Sequence, residues 1–396
     1  MSDPIRGQTA ICGLGITEMG KVYGHDASWF AGESIKLAIQ DAGLEKDQID
    51  GLLVNPGITG MMGTGIGIPL QGYLGLRNLR LLNHMNSYGA TASAMIQYAA
   101  MAVNHGMANY VACIFADAPL QQGGSAGAAY GGAGRRGPSG MASLMPAFGF
   151  YGANTSYALA ARRYMERYGI TNNDLGRVSV TQRRYAVDNP HATMRQPLTL
   201  EDYHNSRWIV DPFHLLDCCL VSNGAVCTIV TTADRARDLQ SDPAYIWGMG
   251  QGHPGNFPHA EVETGTTSGA VIAGETAYKM AGVGPEDVDI CEFYDCYTYT
   301  VLRTIEDYGL AKPGEAIGLY PEDPADPEAD LPLINTGGGQ LSSYYMWGMT
   351  PVSEAVIQAR GSGGDRQVEK NDIVLCSGNG GTLDTHGTLI LSPNAN

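Results

Sequence analysis

The pattern of apolar and polar positions along the chain repeats, which is the strongest structural signal in the sequence. Residues 38–54 match residues 277–293, and each copy predicts a helix, a glycine stop, an acidic turn and a buried strand. Two shorter matches follow in the same order, a helix pair at residues 93–99 and 354–360 and a strand pair at residues 110–113 and 373–376. The chain is therefore predicted to contain two copies of one α/β unit.

The order of the repeated elements predicts a mostly parallel sheet with helices on both faces. The first half is assigned to residues 1–117 and 224–243, and the second half to residues 244–396. Residues 118–223 have no counterpart in the second copy. We interpret them as an inserted loop domain.

Composition narrows the classes of protein that the chain can belong to. Only 16% of the 396 residues are charged and the formal net charge is −16, which argues against a nucleic-acid or anionic-membrane surface. No stretch reaches the length needed to span a bilayer, and the first residues lack a signal-peptide pattern. A soluble, cytoplasmic oligomer is expected, with its eight cysteines reduced because their spacing matches no zinc site.

The insertion combines a glycine-rich stretch with an unusual number of arginines. Residues 121–140 predict a mobile surface loop, either a lid or a linker, and residues 152–169 predict a helix. Arginines bind phosphate groups well, although most of those in the insertion are expected to form ion pairs on helix faces. Arg135, Arg136 and Arg207 are the candidates for an anionic ligand.

Polar and aromatic residues cluster at three predicted strand ends, the places where α/β proteins form their sites. These are DICEFYDCYTYT at residues 289–300, NTGGGQLSSYYMWGMTP at residues 335–351 and LCSGNGG at residues 375–381. With the duplication, the three motifs resemble those of the thiolase superfamily, particularly its sterol carrier protein X branch. The resemblance implies a five-layered αβαβα sandwich of two duplicated halves with an inserted loop domain, CoA thioester substrates and at least a dimer.

The residues at the catalytic positions differ from those of a thiolase. Tyr294 stands at the histidine of the family's HDCF motif, and Tyr345, preceded by Tyr344, stands at the histidine of its GHP motif. Asn86 occupies the position of the nucleophilic cysteine, and an amide cannot form an acyl-enzyme. Cys376 matches the second, acid/base cysteine of the family.

With these residues at the catalytic positions, the chain resembles the bacterial steroid side-chain-cleaving aldolases, which are thiolase relatives labelled lipid-transfer proteins. The resemblance implies a carbon–carbon lyase of cholesterol catabolism that cleaves a β-hydroxyacyl-CoA steroid to a 17-ketosteroid and propionyl-CoA. CoA would be part of the substrate, and no cofactor or metal would be needed. The expected assembly is a homodimer that joins a separate zinc-ribbon/OB-fold protein in a heterotetramer.

The chemistry requires an acid/base pair and donors for a thioester enolate. We expect Tyr294 and Tyr344 to be the pair, with Tyr345 as the alternative to Tyr344, because adjacent residues of an extended segment point to opposite sides. Cys376 has a catalytic or a structural role. The candidate substrate and oxyanion groups are Asn86, Gly378, Gly380, Gly381 and His253.

Two other functions remain open at this stage. A noncatalytic lipid-binding or scaffold subunit could keep the fold after losing the nucleophile. An acetyltransferase or thiolase activity would instead depend on Cys376.

Overall fold

The computed structural model describes residues 5–61, 65–129, 143–150, 152–255 and 265–396. Its strands are β1 (Thr9–Ile16), β2 (Gly51–Asn55), β3 (Leu81–His84), β4 (Val111–Asp117), β5 (Trp208–Val210), β6 (Phe213–His214), β7 (Gly224–Thr232), β8 (Ala244–Gly252), β9 (Ile290–Phe293), β10 (Val374–Gly380) and β11 (Thr385–Ser392). Its helices are α1 (Ala27–Ala42), α2 (Gly57–Met61), α3 (Leu70–Leu74), α4 (Thr91–Asn104), α5 (Leu144–Ala147), α6 (Ala153–Tyr168), α7 (Asn172–Val187), α8 (Leu200–Asn205), α9 (Ala233–Ala236), α10 (Ala270–Ala281), α11 (Thr298–Asp307) and α12 (Met349–Ala359).

The repeated sequence segments form equivalent elements. Helix α1 ends at Gly43 and helix α10 at Gly282, and both glycines have a left-handed backbone, with φ of 67° and 69°. A single helical turn and a buried strand, β2 or β9, follow in each copy. The shorter matches fall on helices α4 and α12 and on strands β4 and β10, so the predicted order of elements is confirmed.

Nine of the strands form one sheet in the order β3-β2-β4-β7-β1-β8-β11-β10-β9, and β5 and β6 form a separate two-stranded sheet. Strand β2 is parallel to β3 and β4, and β9 is parallel to β10, whereas the other neighbours are antiparallel. The expectation of a mostly parallel sheet was therefore wrong. The last strand of each half is antiparallel to an earlier one: β7 pairs with β4 across the insertion, and β11 pairs with β10 through a short hairpin.

Helices cover the sheet in layers. Helices α4 and α12 contact strands of both halves, as well as each other, and therefore form the central layer. On the outer faces, α1 packs on β1, β4 and β7, while α10 packs on β8 and β11. The five-layered αβαβα sandwich is thus present, and β1 and β8 join its halves through Ala10 opposite Tyr245 and Ile11 opposite Ala244.

The region assigned to the insertion contains α5 to α8 and the β5–β6 pair. The predicted helix at residues 152–169 is α6. Arg177 and Arg184 of α7 donate to backbone carbonyls of residues 317–327, with distances of 2.9 Å from Arg177 Nε to Pro321 O and from Arg184 Nη1 to Pro324 O. These arginines stabilise the fold mainly through backbone carbonyls, and Arg177 also forms the expected kind of ion pair, with Asp174 and Glu322.

No helix in the described part of the chain is long and apolar enough to cross a bilayer.

Much of the glycine excess lies where a helix approaches a strand closely. A Cβ atom on Gly248, Gly250 or Gly252 of β8 would lie 2.4, 2.0 or 1.9 Å from a backbone oxygen of α10 or of the residue before it. Gly13 and Gly15 of β1 face α1 in the same way, with 2.6 and 2.0 Å to backbone oxygens. Alternate glycines therefore let the outer helix of each half pack directly on the sheet.

We expect Gly250→Ala to lower the free energy of unfolding by about 1–3 kcal/mol or more, because its methyl group would overlap the Ala273 carbonyl and both elements would have to shift. Equilibrium chemical denaturation measures the change. Gly72→Ala is the matched control, since a Cβ atom there meets nothing within 4 Å and alanine favours helix α3. Equal stability of the two variants would contradict the close-packing argument.

Candidate active site

A glycine turn sets the directions of Tyr344 and Tyr345. Gly338 and Gly339 have left-handed backbones, with φ of 91° and 57°, and lead into a wide helical turn at Gly339–Ser343. Tyr344 then adopts an extended conformation, with φ of −157° and ψ of 165°. Consecutive side chains of an extended segment point in opposite directions, so Tyr344 and Tyr345 face different surroundings.

The carboxylate of Asp295 holds this turn in place. Its Oδ1 and Oδ2 atoms accept the Gln340 N–H at 2.8 and 2.9 Å, and Oδ2 also accepts the Leu341 N–H at 3.1 Å. A Cβ atom on Gly339 would lie 2.2 Å from Oδ2, so only glycine fits against the carboxylate. Burial raises the pKa of Asp295 to about 8, and the N–H groups oppose that shift.

The insertion supports the same turn from its other side. The Asn189 amide donates to the Gly337 carbonyl at 2.8 Å and to Ser343 Oγ at 3.1 Å. The Thr193 N–H donates to the Ser343 carbonyl at 2.9 Å. The position of the tyrosines thus depends on groups from β9, from the insertion and from the turn itself.

Two tyrosine hydroxyl groups meet in the interior. The hydroxyls of Tyr294 and Tyr345 lie 3.1 Å apart, and their side chains are almost completely buried. Tyr344 points away and lies 2.6 Å from Ser353 Oγ. Because Ser353 donates its proton to the Thr350 carbonyl, the Tyr344 hydroxyl must be the donor to Ser353.

The structure therefore pairs Tyr294 with Tyr345, and the preference for Tyr344 as its partner has to be corrected. Only every second side chain of an extended segment faces the site, and the structure turns Tyr345, the next residue after Tyr344, towards Tyr294. The Tyr344 hydroxyl donates its hydrogen bond to Ser353, on the side away from Tyr294.

Tyr294 lies where three segments converge. Its N–H donates to the Ser377 carbonyl of β10 at 3.0 Å, and its carbonyl accepts the Asn379 amide at 2.9 Å. Its ring packs on Gly89, where a Cβ atom would lie 2.3 Å from Tyr294 Cε2. The end of β9, the end of β10 and the turn before α4 thus fix the ring together.

The surroundings favour the neutral form of both phenols. Burial raises the pKa of Tyr294 and of Tyr345 well above the usual value, and the nearby Cys219 and Cys296 thiols raise both further. The hydrogen bond between the two hydroxyls lowers the pKa of Tyr345 and raises that of Tyr294. Either hydroxyl can be the donor of the hydrogen bond between them.

A cavity of about 1180 Å³ opens beside this pair. Tyr345, Tyr297, Cys218 and Cys219 line it together with apolar residues of the insertion. Its cationic lining residues in the described part of the chain are Lys21, Arg183 and Arg207. The volume suits a large ligand with an apolar part and an anionic part.

Cys376 does not belong to the described lining of this cavity. It is fully buried in β10, directly beside Glu292 of β9 in the parallel register. Burial, and then the charge of Glu292, raise the pKa of its thiol well above the usual value. This position favours a structural rather than a catalytic role for Cys376.

The predicted oxyanion groups Gly378, Gly380, Gly381 and His253 each have a place of their own in the structure. Gly378 and Gly380 lie inside β10, and a Cβ atom on either would lie 2.2 or 2.3 Å from the turn before α4, so they allow close packing. Gly381 follows in the hairpin with a left-handed backbone, φ of 59°. His253 is exposed, and its ring lies 3.1 Å from Gln251 Oε1.

Asn86 shapes the turn before α4. Its Oδ1 atom accepts the Tyr88 N–H at 3.0 Å, and the residue is exposed. This contact explains how Tyr88 holds a left-handed backbone, with φ of 53°. The geometry gives Asn86 a role in the turn, and its contact with the substrate stays a prediction.

Of the three arginines predicted to bind an anionic ligand, only one lies among the described residues. Arg135 and Arg136 lie outside the described residues. Arg207 is exposed and lines the cavity. Arg183 also lines the cavity, but its Nε donates to Ser342 Oγ at 2.9 Å and supports the glycine turn.

Sequence reasoning missed two groups close to the tyrosines. Cys219 lines the cavity and influences the pKa of Tyr345. Asp117 ends the buried strand β4 and is itself buried. The signal that identified Tyr294, a polar residue directly after a buried strand, could also have identified Asp117.

Comparisons with known proteins agree with the geometry. Residues 254–393 match the family model described as thiolase C-terminal domain-like. The chain is 36% identical to a steroid side-chain-cleaving aldolase of Thermomonospora curvata, over 97% of this chain and 98% of that protein. It is 33% identical to a 17-hydroxy-3-oxo-4-pregnene-20-carboxyl-CoA lyase of Mycobacterium tuberculosis, over 98% and 100% of the two chains.

The solved structure described as Ltp2-ChsH2(DUF35) aldolase superposes with a TM-score of 0.84 and 34% identity, covering 98% of this chain and 99% of the other. The chain belongs to the family of the steroid side-chain-cleaving aldolases. Its fold is that of the thiolases.

We expect Asp295→Ala to destabilise the protein by about 2–5 kcal/mol, because the Gln340 and Leu341 N–H groups would lose their buried acceptor. Thermal unfolding followed by circular dichroism measures the loss. Asp365→Ala, at an exposed carboxylate, is the control and should unfold like the wild type. A similar stability for the two variants would show that the turn does not depend on Asp295.

Proposed function

We propose that this chain catalyses the retro-aldol cleavage of a β-hydroxyacyl-CoA steroid side chain, with a 17-ketosteroid and propionyl-CoA as products. The hydroxyl pair of Tyr294 and Tyr345, beside a cavity that can hold a large ligand, is the observation that carries this proposal. The position of a thiolase nucleophile is taken by Asn86, which has no nucleophilic atom. The site is therefore suited to proton transfer rather than acyl transfer.

The reaction needs one proton moved from the substrate hydroxyl to the carbon next to the thioester. As the carbon–carbon bond breaks, its electron pair passes to the carbon next to the thioester and Tyr345 accepts the substrate hydroxyl proton. In the same step Tyr345 passes its own proton to Tyr294 across the 3.1 Å contact, and Tyr294 gives its proton to that carbon. Both phenols are neutral before and after the reaction, so the proton balance closes.

The cavity lining supports a CoA ester as the substrate. Lys21 and Arg207 are exposed on its wall and can bind the CoA phosphates. Apolar side chains such as Ile58, Met194 and Ile209 line other parts of the wall and suit a steroid nucleus. CoA is part of the substrate in this proposal, and no further cofactor is required.

An acyltransferase that uses Cys376 is less consistent with the geometry. The thiol is fully buried in β10, away from the described lining of the cavity, and its neutral form is strongly favoured. A nucleophilic cysteine needs the opposite environment, accessible and with a lowered pKa.

The proposed assembly is a homodimer that binds a separate zinc-ribbon/OB-fold subunit. The solved relative is described as a complex of Ltp2 with ChsH2(DUF35), and its Ltp2-like part spans nearly the whole of this chain. We further propose that the complex acts in the cytoplasm, in the degradation of sterol side chains.

We expect the wild-type complex to convert a 17-hydroxy steroid acyl-CoA to ketone and propionyl-CoA. Tyr345→Phe and Tyr294→Phe should each lower kcat by about 10²–10⁴-fold, the usual contribution of a general acid or base. Liquid chromatography with mass spectrometry measures both products. Tyr344→Phe is the matched control and should keep kcat within about 10-fold, since it removes only the hydrogen bond to Ser353.

Two results would overturn these assignments. No cleavage by the wild-type complex would favour a noncatalytic binding subunit. A loss in Tyr344→Phe as large as that in Tyr345→Phe, with both proteins folded, would remove the distinction between the two tyrosines.

We expect the isolated chain to turn over the same substrate at least about 10-fold more slowly than the complex with its zinc-ribbon/OB-fold subunit, because each missing contact of about 1.4 kcal/mol to the CoA ester costs a factor of 10. Steady-state kinetics before and after addition of the purified subunit measure the difference. Bovine serum albumin at the same concentration serves as the control. Full activity of the chain alone would contradict the requirement for a partner.

A further inference from the structure

Arg183 is a buried arginine on the wall of the cavity beside the tyrosine pair. Its side chain is part of a residue that is only 5% exposed, and it lines the cavity together with Tyr345. The other described cations of the lining, Lys21 and Arg207, are exposed. Arg183 therefore belongs to the enclosed part of the cavity rather than to its opening.

The protein uses only some of the five N–H groups of this guanidinium. Nε donates to Ser342 Oγ at 2.9 Å, and Nη1 donates to the Gln196 carbonyl at 3.2 Å. Within the described part of the chain, Nη2 donates to no other group. The described buried atoms that lack both a partner and accessible surface include none from Arg183. Its free N–H groups are therefore accessible, and the cavity is the space that they can reach.

The charge of Arg183 is not balanced by a carboxylate among the described residues. Their ion pairs do not include Arg183, and the acidic residue of the described cavity lining, Glu18, is exposed. Burial lowers the pKa of Arg183, and no neighbouring charge opposes that shift. A buried charge without a partner is costly, so its presence on a cavity wall indicates that a ligand completes its environment.

Arg177, on the same helix α7, shows the environment of a structural arginine. It is also buried, but it forms ion pairs with Asp174 and Glu322 and donates from Nε to the Pro321 carbonyl. Its charge is balanced within the protein, whereas the charge of Arg183 is not. This difference points to a ligand, rather than to the fold alone, as the partner of Arg183.

The position of Arg183 decides which part of a substrate it can meet. In the proposed reaction the thioester lies at Tyr294 and Tyr345, and the CoA phosphates lie at the exposed Lys21 and Arg207. No cation is among the main groups that shift the pKa of Tyr345, so Arg183 is not beside the reacting atoms. The ring system of the acyl group is the part of the substrate that remains to reach it.

We infer that Arg183 is a specificity-determining residue that donates hydrogen bonds to an acceptor oxygen on the ring system, at the end remote from the thioester. The assignment rests on the proposed function, because the ring system is that of the proposed steroid substrate. A ketone oxygen suits the site, since it has two lone pairs for the directed N–H groups of a guanidinium. A methylene group at this position would leave those N–H groups unpaired.

The test compares two steroid acyl-CoA esters that differ only in this group, one with a ketone at the remote end of the ring system and one with a methylene group. Both lack the 17-hydroxyl group, so they bind without being cleaved. We expect the assembled wild-type complex to bind the ketone about 10–100-fold more tightly, the value of a hydrogen bond to a charged donor. Isothermal titration calorimetry measures both dissociation constants. Arg183→Met should remove this preference by weakening the binding of the ketone alone.

Two control variants separate binding from support of the glycine turn. Arg184→Met removes the next arginine of α7, which donates to the carbonyls of Pro324 and Asp326 and is not among the described lining residues. Ser342→Ala removes the contact of Arg183 with the turn but keeps the guanidinium. Both variants should keep the preference for the ketone.

Equal affinity of the wild type for the two esters would overturn the inference, and this measurement requires no variant to fold. A preference that persists in Arg183→Met, or that is lost to the same extent in Ser342→Ala, would also overturn it. If the wild type still cleaved a 17-hydroxy substrate, the proposed function would stand in each of these cases. A wild-type complex that shows the preference but cleaves nothing would contradict the proposed function and support the binding role of Arg183.

Discussion

The hydrogen bonds between the Asp295 carboxylate and the backbone of the glycine turn are the constraint on which the site depends. They fix the helical turn at Gly339–Ser343, and therefore which of two adjacent buried tyrosines faces Tyr294. Asp295 follows Tyr294 in the chain, so one dipeptide supplies both a hydroxyl of the pair and the anchor of its partner. A shift of one residue in this turn would exchange Tyr345 for Tyr344.

The duplicated halves contribute differently to the chemistry. The second half supplies both hydroxyls, at the end of β9 and after the glycine turn. The first half supplies the turn before α4, on which the Tyr294 ring rests. Because β9 corresponds to β2, the counterpart of Tyr294 in the first half is Asn55, so the phenol of the site is not duplicated.

Much of the architecture could be predicted because the repeated pattern is local. The glycine stops at Gly43 and Gly282 and the buried strands that follow them depend on short segments, and they were found where expected. Strand direction was mispredicted because β7 is placed by contacts that come after a long insertion. The choice between Tyr344 and Tyr345 depends on the rotation of a turn held by Asp295 and Asn189, which are distant in sequence. Asn86 and Cys376 were chosen by motif position alone, and burial and hydrogen bonding at those positions come only from the folded chain.

The contacts from Asn189 and Thr193 to the glycine turn make the insertion part of the framework of the site. One side of the insertion lines the cavity and the other side holds the glycine turn. During evolution, a change on the cavity side would therefore also affect the side that holds the turn. Substitutions in the insertion that widen the cavity would also loosen the tyrosine pair. Substrate specificity and catalytic rate should therefore change together. Exchanging this region between relatives would then transfer both properties only if the glycine turn moved with it.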